Sequence, residues 1–237
     1  MSAPSRFLSG VATVPASQPL GNFPYPDPFH TSGTTGMDCF TYMTDYTDLG
    51  QTASFTVTGA SSTFALTAGI GGWATLTPGG TTTASSMYRS QTAFQFVAGQ
   101  KFWYLQRIKA SAVAGAVAFT FGLQYGSATT DGLWFSKAGS STSLNLVSSV
   151  GSTATTLVTG VATCTANGWL DVGFYYDGTD ILVYSSDTVI ARVTAPTIGA
   201  SGTTLTNVLL SPFIQITPTA TDTLTTDYVL VAQETTR

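Results

Sequence analysis

Apolar and polar residues alternate with a period of two through most of this chain, and no stretch of ten or more residues sustains a period of 3.6. Successive side chains of an extended strand point to opposite faces, so the pattern predicts half-buried β-strands and no long helix. The cleanest case is AVAFTFGLQYG, where Val117, Phe119, Phe121, Leu123 and Tyr125 alternate with Ala118, Thr120, Gly122 and Gln124. One face is core and the other is thin and polar. KFWYLQRIKAS differs: Lys101, Trp103, Leu105, Arg107 and Lys109 share one parity, and Phe102, Tyr104, Gln106 and Ile108 the other. Large residues therefore stand on both faces of this strand.

The remaining strand signals follow the same period. TASFTVTG, STFALTA and WATLTP, separated by GAS and GIGG, read as a meander, and TAFQFVA as a strand before KFWYLQRIKAS. DGLWFSKAG, SLNLVSSV and TTLVTGVAT come next. A triplet, GWLDVGFYYDG, DILVYSSD and TVIARVTAP, has Asp, Gly and Ser at its junctions, where tight hairpin turns need them. TNVLLSPFIQIT and TLTTDYVLVAQE complete the series. Roughly a dozen strands exceed what one flat sheet holds comfortably, so two packed sheets are predicted. No internal repeat is present, which disfavours a propeller or β-helix.

The first 36 residues break the pattern. They hold six of the ten prolines, with Phe7, Leu20, Phe23, Tyr25 and Phe29 spaced between them. Proline removes a backbone donor and holds φ, so residues 1–36 are read as an extended arm running along another surface, its apolar residues acting as anchors. Residues 37–237 form the sandwich.

Composition narrows the chemistry. Charged residues make up 8% of the chain against roughly 25% in ordinary soluble domains, so the polar surface is built from Thr, Ser, Gly, Asn and Gln. The net charge of −4, with basic residues scattered apart from Lys101, Arg107 and Lys109, excludes nucleic acid as an expected partner. MSAPSRFLSG has one Arg and no apolar run, and no segment is apolar over the ~18 residues a membrane helix needs, so neither a secretory leader nor a membrane partner is expected. Cys39 and Cys164 read as free thiols, with a disulfide open only if the fold brings them together.

Catalytic residue types are scarce. Glu234 is the only Glu and His30, in the arm, the only His, which leaves neither a Glu pair for glycoside hydrolysis nor a base for a nucleophilic triad. Asp171 and Asp177 are the remaining carboxylate pair, and read as structural. One His and two distant Cys make no zinc set. Asp45 with Asp48, and Asp177 with Asp180, are candidate calcium ligands, although Asp in tight turns is already explained by hydrogen bonds to its own backbone. Sugar recognition needs an exposed aromatic, and of Trp73, Trp103, Trp134 and Trp169 the one beside a predicted loop, Trp134, is the candidate.

The succession GQKFWY, FTFGLQYG, DGLWFSK, GWLDVGFYYDGTDILVYSSDTVIARV and DYVLVAQE resembles the concanavalin-like, laminin-G-like jelly-roll sandwiches. With an arm carrying PSRF, SGV, PLG and PDP, the whole chain is similar to phage capsid decoration, or cement, proteins. The resemblance implies an all-β, two-sheet jelly roll with an extended N-terminal arm. It also implies a structural, non-enzymatic role without cofactors on the outer capsid surface of a virion, with the major capsid protein and further copies of the chain, as a homotrimer, for partners. Phe7, Leu20, Phe23, Tyr25 and Phe29 would then bind the capsid. The alternative is a tail or fibre adhesin module that binds host glycan, with Trp134 facing the sugar.

Overall fold

The computed structural model describes residues 39–46, 54–67, 72–186 and 188–235, together with the short strands β1 (Val11–Ala12) and β2 (Tyr25–Pro26), which pair antiparallel. The side chains of Phe7, Leu20, Phe23, Tyr25 and Phe29, and with them the arm boundary at residue 36, lie outside the described residues. Five short strands follow: β3 (Cys39–Thr44), β4 (Phe55–Thr58), β5 (Thr63–Thr67), β6 (Trp73–Thr77) and β7 (Ser85–Arg89). Then come β8 (Phe102–Ala110), β9 (Ala118–Tyr125), β10 (Ala128–Lys137), β11 (Ser143–Val150) and β12 (Thr153–Thr163). The hairpin triplet is β13 (Leu170–Tyr176), β14 (Ile181–Ser185) and β15 (Thr188–Val193). A small parallel pair, β16 (Ile198–Gly199) and β17 (Leu205–Thr206), precedes β18 (Ser211–Thr217) and β19 (Leu224–Glu234).

These strands build two antiparallel sheets. One runs β12-β11-β10-β9-β18-β7-β4; the other runs β15-β14-β13-β8-β19-β6-β5, with β3 also pairing β19. The C-terminal strand β19 is central to the second sheet. It pairs along one side with β8, and on the other first with β6 and then with β3. No helix among the described residues is long and apolar enough to cross a membrane. The architecture is the two-sheet jelly roll expected from the alternation of the strands.

The inward parity of each long strand supplies the core. Phe119, Phe121, Leu123, Leu133 and Phe135 come from the seven-stranded sheet, and Phe102, Tyr104, Ile108, Val172 and Phe174 from the eight-stranded one. Tyr104 stacks on Phe174 at 5.1 Å, Phe121 on Phe135 at 5.5 Å, and Tyr104 meets Phe135 across the sheets at 6.3 Å. The Tyr104 hydroxyl donates to the Gln106 side-chain carbonyl, and the Gln106 amide donates to Thr226 Oγ1 at 3.0 Å. Burial keeps the Tyr104 phenol well above its ordinary pKa, and it stays a neutral donor. The Lys137 ammonium is fully buried, donates to the Val117 carbonyl, and is pulled below its ordinary pKa by burial.

Two expectations about the strands change. TASFTVTG, STFALTA and WATLTP do not form a meander: β5 and β6 make a hairpin, but β4 crosses to the other sheet and pairs β7. TAFQFVA is not a strand either. Phe94 and Phe96 are buried in the core, while the backbone at 93–94 bonds Leu210 and the Gln95 N–H donates to Gln233 Oε1 at 2.9 Å. Apolar alternation there reflects a plug between the sheets rather than a ladder.

Candidate functional site

Along β8, the outward side chains run Trp103, Leu105, Arg107, Lys109 and change from apolar to charged. At the charged end the neighbouring strands place two tryptophans. Trp73 is the first residue of β6, and Trp169 immediately precedes β13; both are partly exposed. Their backbones lie three strands apart, roughly 14 Å at the usual strand spacing, yet the ring centroids are 5.4 Å apart, edge to face. The indoles therefore lean together across β19 and β8. Lys109 locks them, its ammonium 4.2 Å from the Trp73 centroid and 4.5 Å from that of Trp169. The Arg107 guanidinium lies 5.0 Å from the Trp169 ring. Cation–π attraction of this kind fixes ring orientation on a surface that would otherwise allow several rotamers.

The charges beside the rings form a closed network. Arg107 Nε lies 3.6 Å from Asp171 Oδ1, its Nη1 donates to Asp227 Oδ2 at 3.2 Å, and the Tyr228 hydroxyl donates to Asp171 Oδ1 at 3.0 Å. Burial raises the Asp171 carboxyl above its ordinary range, while Arg107 and the Tyr228 hydroxyl pull it back down and Asp227 adds to the rise. This places four of the chain's 20 charged side chains around one aromatic pair, in a protein whose surface is otherwise mainly hydroxyls and amides. The guanidinium also stands between the two carboxylates.

The outer face of the seven-stranded sheet carries the second candidate. A cleft of about 420 Å³ is lined by Ser86, Gln124, Ser127, Thr129, Thr130, Ser152 and Gln215, all neutral. It adjoins a bulge in β10, where the register slips between Ala128 and Gly132. Asp131 pins that bulge by accepting from the Gly151 N–H and from Thr206 Oγ1, each at 3.0 Å.

Trp134, expected next to a loop and exposed, is 6% exposed. The DG pair ahead of it is no hairpin turn but the end of the bulge, and Trp134 sits inside β10. Register aligns Phe213, Gly122 and Trp134 in one row, and the two aromatic rings meet edge to face at 6.0 Å across the glycine. A Cβ at Gly122 would approach Trp134 Cα to 2.5 Å, so only glycine permits the contact. The ring is unavailable for stacking. Trp73 and Trp169, candidates that the sequence ranked behind Trp134, are the tryptophans that meet at the surface; their shared signal is a Trp directly after Gly in GGWATLT and NGWLDVG.

Asp177 and Asp180 resolve as turn residues. Asp177 Oδ1 accepts from the N–H groups of Thr179 and Asp180 at 2.8 and 2.7 Å, while Asp180 accepts from Ala195 N–H at 2.8 Å and pairs Arg192 at 3.1 Å. Among the described residues no group of three or more His, Cys, Asp or Glu is placed to hold a metal ion; Asp48 and His30 lie outside them. Cys39 and Cys164 form no disulfide: Cys39 stands on the outer face of the eight-stranded sheet, and Cys164 is buried, its thiol pushed up to about 11 by burial.

The fold is a two-sheet, concanavalin-like jelly-roll β-sandwich. No protein-family model matches the sequence, and no curated protein matches it. Solved structures do. A native glycosidic hydrolase aligns with a TM-score of 0.58 at 12% identity, over 84% of this chain and 97% of the other. The exoplasmic/lumenal domain of VIP36 in its Ca²⁺/Man2-bound form aligns at 0.56 and 10% identity, over 83% and 88%. The CBM2 module of the evolved Dit of Lactobacillus casei BL23 phage J-1 aligns at 0.54 and 14% identity, over 84% and 98%. At such identities the likeness is one of fold.

Proposed function

We propose that this chain is a non-catalytic glycan-binding module of a virion surface protein, acting as an adhesin through the Trp73–Trp169 face. The observation that carries this reading is the pair of partly exposed indoles, held together by Lys109 and bordered by the Arg107–Asp171–Asp227 network. A pyranose presents an apolar C–H face and a rim of hydroxyls. The indoles accept the first and the charged groups bond the second, with little ordering left to do on binding. The Ca²⁺/Man2-bound VIP36 domain and the phage CBM2 module support the reading by sharing the sandwich.

The capsid-cement reading that led from the sequence, with the major capsid protein as partner and a homotrimer on the outer capsid surface, draws no support from these neighbours, which favour the adhesin alternative. The test is a glycan array followed by calorimetry on the strongest hit. Trp169→Ala removes one indole, and burying such a ring against a ligand is worth about 1.5–3 kcal/mol, so the affinity should fall roughly 10- to 100-fold. Saturable binding that is unchanged in Trp169→Ala and Trp73→Ala would move the site elsewhere; no glycan bound by the intact chain would end the reading.

A further inference from the structure

The Lys and Arg side chains among the described residues differ in what they face. Lys101 pairs Glu234, Arg107 pairs Asp171 and Asp227, and Arg192 pairs Asp180. Lys137 is sealed in the core on the Val117 carbonyl, and the Arg89 guanidinium lies over the Tyr42 ring, 4.6 Å from its centroid. Lys109 stands on the outer face of the eight-stranded sheet with no carboxylate paired to it among the described residues; its contacts are the Trp73 and Trp169 rings. An aromatic face attracts an ammonium but leaves it N–H groups for an acceptor. Register sets Lys109 opposite Thr225 on β19, and Thr225 opposite Thr75 on β6. Thr75 Oγ1 lies 3.0 Å from Thr225 Oγ1 and 2.7 Å from that of Thr67, so a row of hydroxyls leads from the ammonium toward β5. The carboxylates of this face belong to the next row, about 7 Å along β8, where Arg107 and the Tyr228 hydroxyl already engage them.

We propose that the glycan taken by the Trp73–Trp169 face is an acidic one, whose carboxylate or sulfate ester binds the Lys109 ammonium while its hydroxyls meet Thr75 and Thr67. The proposal rests on the adhesin reading and specifies its ligand. The chain has 12 acidic residues against 8 basic ones, so a shortage of carboxylates does not explain an unpaired ammonium. The ammonium lies 4.2 and 4.5 Å from the two indole centroids, which puts it within reach of a substituent on a sugar seated against either ring. Thr67 is exposed and Thr75 half-buried, so both hydroxyls can turn a lone pair or a hydrogen toward the same sugar. The net charge of −4 does not oppose this. Charges beyond about 8 Å are screened at physiological salt, and the ammonium nearest the anion decides the local sign. Arg107 is not the anion's partner, because Asp171 and Asp227 already hold its guanidinium.

The test probes an array of carboxylated, sulfated and neutral glycans with the full-length chain, at low salt and again at about 0.5 M NaCl, where surface charges are largely screened. The strongest hits should be anionic and should weaken at high salt, and the carboxylated and sulfated arms distinguish the two sources of charge. The strongest hit is then titrated beside its carboxyl-reduced or desulfated form. The neutral form should bind about three- to tenfold more weakly, as expected for one charge-assisted contact at a partly exposed site. That ratio should fall to about one in Lys109→Met, which keeps the apolar stem, and persist in Lys109→Arg. Because the ratio compares two ligands on one protein, a shift of the indoles in the variant does not imitate the result. A neutral glycan as the strongest hit would overturn the proposal and leave the adhesin reading standing. A ratio unchanged in Lys109→Met would overturn it as well, and no glycan bound at all would end both.

Discussion

On the outer face of the seven-stranded sheet the side chains aligned across neighbouring strands include Thr120, Gln215 and Ser86; on the outer face of the eight-stranded sheet they include Asp171, Arg107 and Tyr228. Both rows stand one layer from the same core. The first face offers neutral donors and acceptors that water satisfies equally well, and each such hydrogen bond contributes only about 0.5–1.5 kcal/mol net. The second adds indole surface and charges already ordered by one another. The comparison teaches that the two outer faces of one sandwich, alike in backbone, differ chiefly in where the chain places indoles and charged side chains.

The largest effect expected from breaking this comparison lies under the neutral face. Gly122→Val forces a branched side chain between Trp134 and Phe213 at a backbone φ of +154°, where a Cβ already meets Trp134 Cα at 2.5 Å. The loss in a urea denaturation should be about 3 kcal/mol or more. An unchanged midpoint would mean that the Trp134–Phe213 contact is not what fixes this face. Next in size is the contrast between the faces themselves. Gln215→Ala in the cleft should weaken glycan binding about threefold or less, against the 10- to 100-fold expected for Trp169→Ala, since only a solvent-competed hydrogen bond is removed. Calorimetry on the two variants side by side checks the order, and a reversal would transfer the site to the cleft.

The smallest effect is one of pH. Asp171 has its carboxyl raised above the ordinary 3.8, chiefly by burial. A folded-state value above the unfolded one means that its contribution to stability is fully present below the unfolded pKa and is lost as pH rises through the folded pKa. Asp171→Asn removes that titration, so the fall in stability with rising pH just above the ordinary carboxylate range should flatten. Denaturation midpoints measured from about pH 4 to pH 7 read this slope directly, and identical slopes would show that Arg107 and Tyr228 compensate fully for the burial.

Much of the architecture was legible in the chain because strand faces are a local property. Side chains at i and i+2 share a face whatever the strand pairs with, so the inward assignments of Phe119, Phe121 and Leu123, and the two large faces of β8, follow from alternation alone. The hairpin triplet β13-β14-β15 was likewise written in its Asp, Gly and Ser junctions. Scarcity of Glu and His bore on function in the same direct way, because no fold can supply missing residue types.

What the tertiary structure alone decided is which strand meets which, and therefore what covers an outward side chain. β4 leaves its sequence neighbours to pair β7, and the alternating TAFQFVA becomes a plug, because partner choice depends on contacts across the whole chain. The tryptophans show the consequence for function. Trp134 is hidden because Phe213, 79 residues away, meets it across Gly122, whereas Trp73 and Trp169, 96 residues apart, are brought together at the surface by β19 and β8. Alternation determines the side of the sheet on which each indole stands; only long-range strand pairing determines whether that side is open to a ligand.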